Sequence, residues 1–147
     1  MEVVAQVLPA VQTPLVNKFY QAHKARGKAT RQDQNWVLKA TDIVAACRVQ
    51  CVSGEYFLST VLVAPEYRGK GFARKLLTAV LASQPRSLYT FSYCHLSAFY
   101  QGLGFIVIDP VTLPQELAEK YHCYVAQGRQ ILAMQYINPD QNRLCCE

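Results

Sequence analysis

The sequence predicts an α/β domain, a mixed sheet with helices against its faces, and three patterns carry that expectation. Runs rich in β-branched and aromatic residues alternate with stretches of helical period along the whole chain. Three such runs, Trp36 to Ala40, Ile43 to Val52 and Tyr56 to Val63, are parted only by Asp42 and by Ser53-Gly54, the mark of an antiparallel meander. After Pro65 the period changes: Ala73, Leu76, Leu77, Val80 and Leu81 stand at i, i+3, i+4, i+7 and i+8. Strands and helices interleaved in this way make a layered α/β arrangement.

Each element has its own local reason. Residues 3 to 8 read as a short strand. Thr13 followed by Pro14 predicts a helix start, with Thr as N-cap and Pro at the first helical position, and Gly27 is the expected end. The meander follows, with a tight turn at Gly54. The next helix is expected over 70–83, closed by Gln84-Pro85. Ser87 to Tyr93 reads as a strand and His95 to Gln101 as a short helix, broken by Gly102 and Gly104 before a strand over Phe105 to Ile108. Thr112 with Gln115 has capping-box spacing and opens a helix through Leu117 and Tyr121; Ile131 to Ile137 is the last strand.

A chain of 147 residues fits one domain, 1–147. At 51% hydrophobic and 17% charged residues, the chain has the make-up of a compact globule, which sets aside disorder and fibrous repeats. No apolar run approaches the roughly 20 residues of a membrane span, and the start, MEVVAQVLPA, carries an acid where a leader would be basic. A cytoplasmic protein without a membrane partner is expected. The six cysteines, Cys47, Cys51, Cys94, Cys123, Cys145 and Cys146, form no CxxC pair, so neither a metal site nor a disulfide framework is indicated. Cys47 with Cys51 are expected to be buried thiols, and Cys145 with Cys146 to lie in a frayed terminus.

The net charge of +5 is uneven. No acid falls between Val3 and Gln32, a stretch that holds Lys18, Lys24, Arg26, Lys28 and Arg31; a second group is Arg68, Lys70, Arg74 and Lys75. Such groups suit an anionic partner as well as solvated surface.

The segment from Val61 to Leu77 carries the chemistry. It runs strand, loop, helix, and Arg68-x-x-Gly71-x-Ala73 puts small residues where backbone amides at a helix start can be approached closely by a diphosphate. Gly69-x-Gly71-x-x-Arg74 lacks the third small residue of a dinucleotide fingerprint, and no G-x-x-x-x-G-K-[ST] loop exists.

These residues resemble the GNAT N-acetyltransferase family, whose central motif is Q/R-x-x-G-x-G/A after a V-x-P strand end. Arg68, Gly71 and Ala73 match the motif, and Val61-x-Val63-x-Pro65 matches the strand. Downstream, Ala98-Phe-Tyr-Gln-Gly-Leu-Gly-Phe105 is similar to the family's A-x-x-Y-x-x-x-GF or F-Y-x-x-x-GF segment. The resemblance covers about residues 36 to 108. It implies a mostly antiparallel, twisted sheet, splayed at the coenzyme, with acetyl-CoA as acyl donor and no metal. It implies a pantetheine arm paired with the backbone of Val61 and Val63, and a pyrophosphate on Arg68, Gly69, Lys70, Gly71, Phe72, Ala73 and Arg74. Tyr100 matches the tyrosine that gives a proton to the departing thiolate.

Two departures stand out. Phe57 occupies the position where many members have a glutamate base; Glu55 is the candidate in its place, with a water chain, His23 or His95 as alternatives. Tyr93 stands where the family often has an asparagine. The acceptor is expected to be an amine of a small molecule or peptide, and the basic N-terminal stretch favours one carrying carboxylate or phosphate. Phe19, Tyr20, Trp36 and Tyr93 are candidates for its wall or for the core. A non-catalytic acyl-CoA-binding relative, an enzyme acting on aminoacyl-tRNA, and a Cys94 nucleophile are the alternatives. Nucleic acid is not the expected partner, because no RNA-recognition aromatic motif is present. Many relatives are dimers, which leaves a homodimer open.

Overall fold

A computed structural model describes residues 2–84 and 86–138. Seven strands join in the order β1-β2-β3-β4-β5-β7-β6: β1 (Val4–Val7), β2 (Gln34–Lys39), β3 (Ile43–Val52), β4 (Glu55–Val63), β5 (Leu88–Tyr93), β6 (Ile106–Val107) and β7 (Ile131–Tyr136). Four α-helices accompany them: α1 (Thr13–Ala22), α2 (Phe72–Ser83), α3 (Ser97–Gly102) and α4 (Gln115–Ala126). The expected mixed α/β sheet is the one found. The described residues divide into two compact units, 2–50 with Leu58–Ser83, and Cys51–Phe57 with 84 and 86–138.

In the first unit, β1 pairs antiparallel with β2, and β2 with β3, setting Trp36 opposite Cys47 and Val37 opposite Ala46. Val37 and Ala46 pack with Leu8, Ala29, Ala64 and the Val16, Phe19 and Tyr20 side chains of α1. Helix α2 lies against β1 and β2 and buries Leu76, Leu77, Val80 and Leu81, the stripe its spacing predicts.

Helix α1 starts and stops differently from its sequence signals. Thr13 is its first helical residue, Gln12 holds the N-cap without a side-chain bond, and the Thr13 hydroxyl donates instead to Ala10 O, 2.7 Å, closing a preceding 3-10 turn. The helix ends at Ala22, five residues before Gly27. Lys24, at φ +56°, takes the left-handed position, with its N–H on Gln21 O and the Ala25 N–H on Tyr20 O, the two bonds of a Schellman end. Gly27 serves close packing instead, since a Cβ there would overlap the Thr60 hydroxyl and stand 3.0 Å from Arg48 Nη1.

In the second unit, β5 and β6 both pair antiparallel with β7, and Phe57, Leu113, Leu117 and Ala133 form the buried centre. Ser53 and Gly54, at φ +50° and +82°, make the two-residue turn between β3 and β4, the mirror-image turn that suits a right-twisted hairpin. The expected capping box at Thr112 does not form. Asp109 instead accepts from the Val111 N–H, 3.0 Å, and caps a 3-10 turn over Pro110–Thr112, and α4 begins after Pro114.

Cysteine placement splits the expected pair: Cys47 is buried, and Cys51, Cys94 and Cys123 are exposed. Burial pushes the Cys47 thiol well up, so it stays protonated. In native protein, iodoacetamide is expected to label Cys51, Cys94 and Cys123 and to spare Cys47 until unfolding; peptide mapping reads this out, and early Cys47 labelling would contradict the packing. Cys145 and Cys146 lie outside the described residues.

Candidate functional site

In the first unit, Val61, Val63 and the residues from Arg68 to Arg74 form one strand–turn–helix passage. After Val63, Ala64 leads into a 3-10 turn over Pro65–Tyr67, Arg68 is extended, and Gly69 and Gly71 both take left-handed dihedrals, φ +78° and +77°. Apart from each glycine and its chain neighbours, no atom of the described residues lies within 4 Å of where a Cβ would stand on either one, so the backbone here faces open space. Left-handed Gly71 also explains why α2 begins at Phe72 rather than at residue 70. The first hydrogen bond into the helix runs from Lys75 N to Gly71 O, 3.0 Å, which leaves the N–H groups of Phe72, Ala73 and Arg74 ahead of it. No acid occupies the first turn of α2, and Arg68, Lys70 and Arg74 are exposed around it. Free amides, a positive helix end and open glycines together form a cradle whose chemistry suits an anion.

The cations around the cradle are not equivalent. Arg68 Nε donates to Val63 O, 3.2 Å, tying the loop to the end of β4. Lys70 Nζ stands 5.9 Å from the centroid of the Tyr67 ring. Lys75 is turned away, donating to Val3 O at 2.8 Å.

Upstream in β4, Thr60 has φ +54°, a left-handed value that a β-branched residue in a strand adopts only under constraint. Its hydroxyl accepts from Arg48 Nη1, 3.4 Å, while Arg48 Nε pairs with Asp33 Oδ2 at 2.9 Å, both side chains less than a tenth exposed. Asp33 Oδ2 also accepts from the Thr30 N–H, 2.9 Å. The Tyr20 hydroxyl is buried without a hydrogen-bond partner among the described residues; burial above all, then Cys47, pushes its phenol far up, against the opposing pull of Arg48. Sequence reading missed this cluster, although a charged residue inside the apolar run of β3 signals that a buried partner is needed.

The second unit holds Tyr100 and Glu55. Tyr100, 7% exposed, has its ring edge-on to Phe99 at 5.2 Å and Phe105 at 5.6 Å. The Phe105 N–H returns to Tyr100 O, 3.1 Å, around Gly104 at φ +107°, so the end of α3 fixes this aromatic group. Glu55 is the first residue of β4, beside the hairpin turn, and its carboxylate adds to burial in raising the Tyr89 phenol. Phe57 is buried among aromatic rings, 4.8 Å from Phe91. His23 packs edge-on to Phe19 in the first unit, and His95 stacks on Tyr93 in the second. Of the four aromatic residues considered for a wall, Phe19, Tyr20 and Trp36 belong to the core and Tyr93 is exposed.

Among the described residues, no group of three or more His, Cys, Asp or Glu is arranged to hold a metal, and no helix is long and apolar enough to cross a membrane.

Solved structures with the same fold include the N-acetylglutamate synthase from Neisseria gonorrhoeae, complexed with coenzyme A and N-acetyl-glutamate, at a TM-score of 0.70 and 12% identity. That match covers 94% of this chain and 35% of the synthase chain, so this protein spans about a third of the synthase's length. Escherichia coli ElaA matches at a TM-score of 0.67 and 16% identity, over 92% of this chain and 99% of that one. The ribosomal-protein-S18-alanine N-acetyltransferase from Escherichia coli matches at 0.66 and 18%, over 93% and 94%. No curated protein matches by sequence. The family model for the acetyltransferase (GNAT) domain matches residues 31–107, a span that holds β2 to β6 and the whole cradle. By that match over more than half its length, the chain belongs to the GNAT family of acetyltransferases.

Proposed function

We propose that this protein is an acetyl-CoA-dependent N-acetyltransferase in which an amine attacks the thioester directly, with both substrates bound together, and that residues 1–147 act as one such domain in the cytoplasm. The observation that carries the reading is the cradle after β4: two open left-handed glycines and unpaired amides at the start of a twelve-residue helix. Acetyl-CoA supplies the activated thioester. The backbone of Val61 and Val63 offers hydrogen bonds along the pantetheine arm, as an added strand would take them. The amides from Gly69 to Arg74 hold the pyrophosphate, and Arg68, Lys70 and Arg74 add charge. Holding both reactants in line supplies much of the rate, and Tyr100 delivers the proton that the leaving thiolate needs. Glu55 is the carboxylate proposed to take the proton from the amine.

Arg68→Ala is expected to raise the Kd for acetyl-CoA by about tenfold, the scale of one charge-assisted contact, with a Tm close to that of the wild type. Calorimetric titration beside a melting curve tests this; an unchanged Kd would remove Arg68 from the site. The buried aromatic place of Phe57 favours one second reading, a non-catalytic acyl-CoA-binding relative. Thiol release from acetyl-CoA across a panel of amines separates the two.

A further inference from the structure

Resting on the transferase reading, we propose that Lys120 and Arg129 form a carboxylate subsite for an acceptor of amino-acid type, with the Tyr124 ring as the platform that holds both cations.

The end of α4 builds this arrangement. Gly128, at φ +88°, turns the chain so that its N–H meets Val125 O, 2.9 Å, and the Arg129 N–H meets Tyr124 O, 3.2 Å. The turn folds Arg129 back over the last helical turn, with its guanidinium carbon 4.1 Å from the Tyr124 centroid. Lys120, one turn earlier on the same face, puts Nζ 5.5 Å from that centroid and 5.6 Å from the Phe57 ring. Two positive charges therefore share one aromatic ring. Among the described residues, neither has a carboxylate oxygen within 4.0 Å, and the ion pair found there is Arg48–Asp33.

Stacking on the tyrosine uses the face of the guanidinium and leaves its in-plane N–H groups unspent. Arg129 Nε is buried and has no acceptor among the described residues. Two neighbouring cations repel, and a carboxylate binding at the outer edge of the guanidinium offsets that repulsion. The place suits a substrate. Arg129 precedes β7, where Ile131 pairs with Tyr93, the last residue of β5, and the Cys94 N–H bonds to Gln130 O, 3.0 Å. The chain thus leaves α4 beside the carboxyl end of β5. Phe57, beneath Lys120, occupies the position aligned with the family's base.

The test compares acetyl transfer to each amino acid with transfer to the amine left when its α-carboxyl is removed, and adds dipeptides as a third arm. Wild-type protein, Lys120→Gln, Arg129→Gln and Arg129→Lys are assayed. The wild type is expected to favour the carboxylated partner of a pair by at least about tenfold in kcat/KM. Either glutamine variant should raise its KM by about ten- to a hundredfold and collapse that discrimination, with the Kd for acetyl-CoA changed less than twofold; Arg129→Lys should recover part of the loss. Faster transfer to dipeptides than to free amino acids would assign the carboxylate to a peptide. Equal use of both partners by the wild type, or an unchanged KM in both glutamine variants, overturns the proposal. A second measurement is independent of turnover: the NMR signal of the Arg129 Nε–H, titrated with glutarate, should shift saturably in wild type and not in Lys120→Gln. A retained shift without transfer to any amine would refute the transferase reading and keep the subsite. Absence of a shift removes the subsite even if transfer is normal.

Discussion

Tyr100→Phe is expected to lower kcat by about a hundredfold while the Kd for acetyl-CoA stays within twofold of wild type. The substitution removes one hydroxyl and little else. The ring sits between Phe99 and Phe105, and its backbone carbonyl accepts the Phe105 N–H, so phenylalanine keeps the packing and the helix end. In the proposed role of Tyr100, what is lost is the proton for the departing thiolate, and proton transfer by a positioned side chain contributes about 10²- to 10⁴-fold to a reaction. Thiol release under saturating acetyl-CoA, beside calorimetric binding, separates the chemical step from affinity. A fully active variant would show that the proton comes from another group. A parallel rise in Kd would show that the hydroxyl holds the coenzyme instead.

Arg48→Met should be the most destabilising of these single changes, at about 3–5 kcal/mol, because it leaves the Asp33 carboxylate buried without its counter-ion. For a chain of this size, a loss on that scale lowers Tm by about 6–20 °C. The Asp33→Asn/Arg48→Met double variant should regain at least half of the loss, since asparagine still accepts the Thr30 N–H and no charge remains to be compensated. Thermal and urea melts of the two single variants and the double close the cycle. Additive losses would mean that the pair contributes nothing as a pair.

Arg48 also bears on the strand that leads to the cradle. Its second nitrogen reaches the Thr60 hydroxyl, and the missing side chain of Gly27 makes room for both groups. A threonine held left-handed stores about 1–3 kcal/mol, which its surroundings must supply.

Sequence-local features are legible and long-range ones are not. The element order, the 53–54 turn and the passage from Val61 to Leu77 depend on consecutive residues, so their chemistry can be read directly from the chain. Helix ends fail for a physical reason. Thr13 follows a 3-10 turn and Thr112 ends one, and each hydroxyl donates back to a carbonyl three residues earlier instead of accepting from a helix N–H. Gly27 reads as a helix stop because glycine usually serves that purpose, yet its real neighbour is Thr60, far along the chain. The Asp33–Arg48 pair and the cations around Tyr124 likewise depend on which elements pack together, and no spacing rule encodes that.

The sheet ends at β1 and β6, strands of four and two residues, and both carry exposed apolar side chains: Val4 and Val7 on one, Ile106 and Val107 on the other. Amyloid templating draws on flat segments of six or seven residues free of proline. Here Pro9 follows β1 closely, Pro110 follows β6, and neither rim is long enough to recruit strand after strand from other molecules. The shortness of both rims thus works against fibril seeding at these greasy margins.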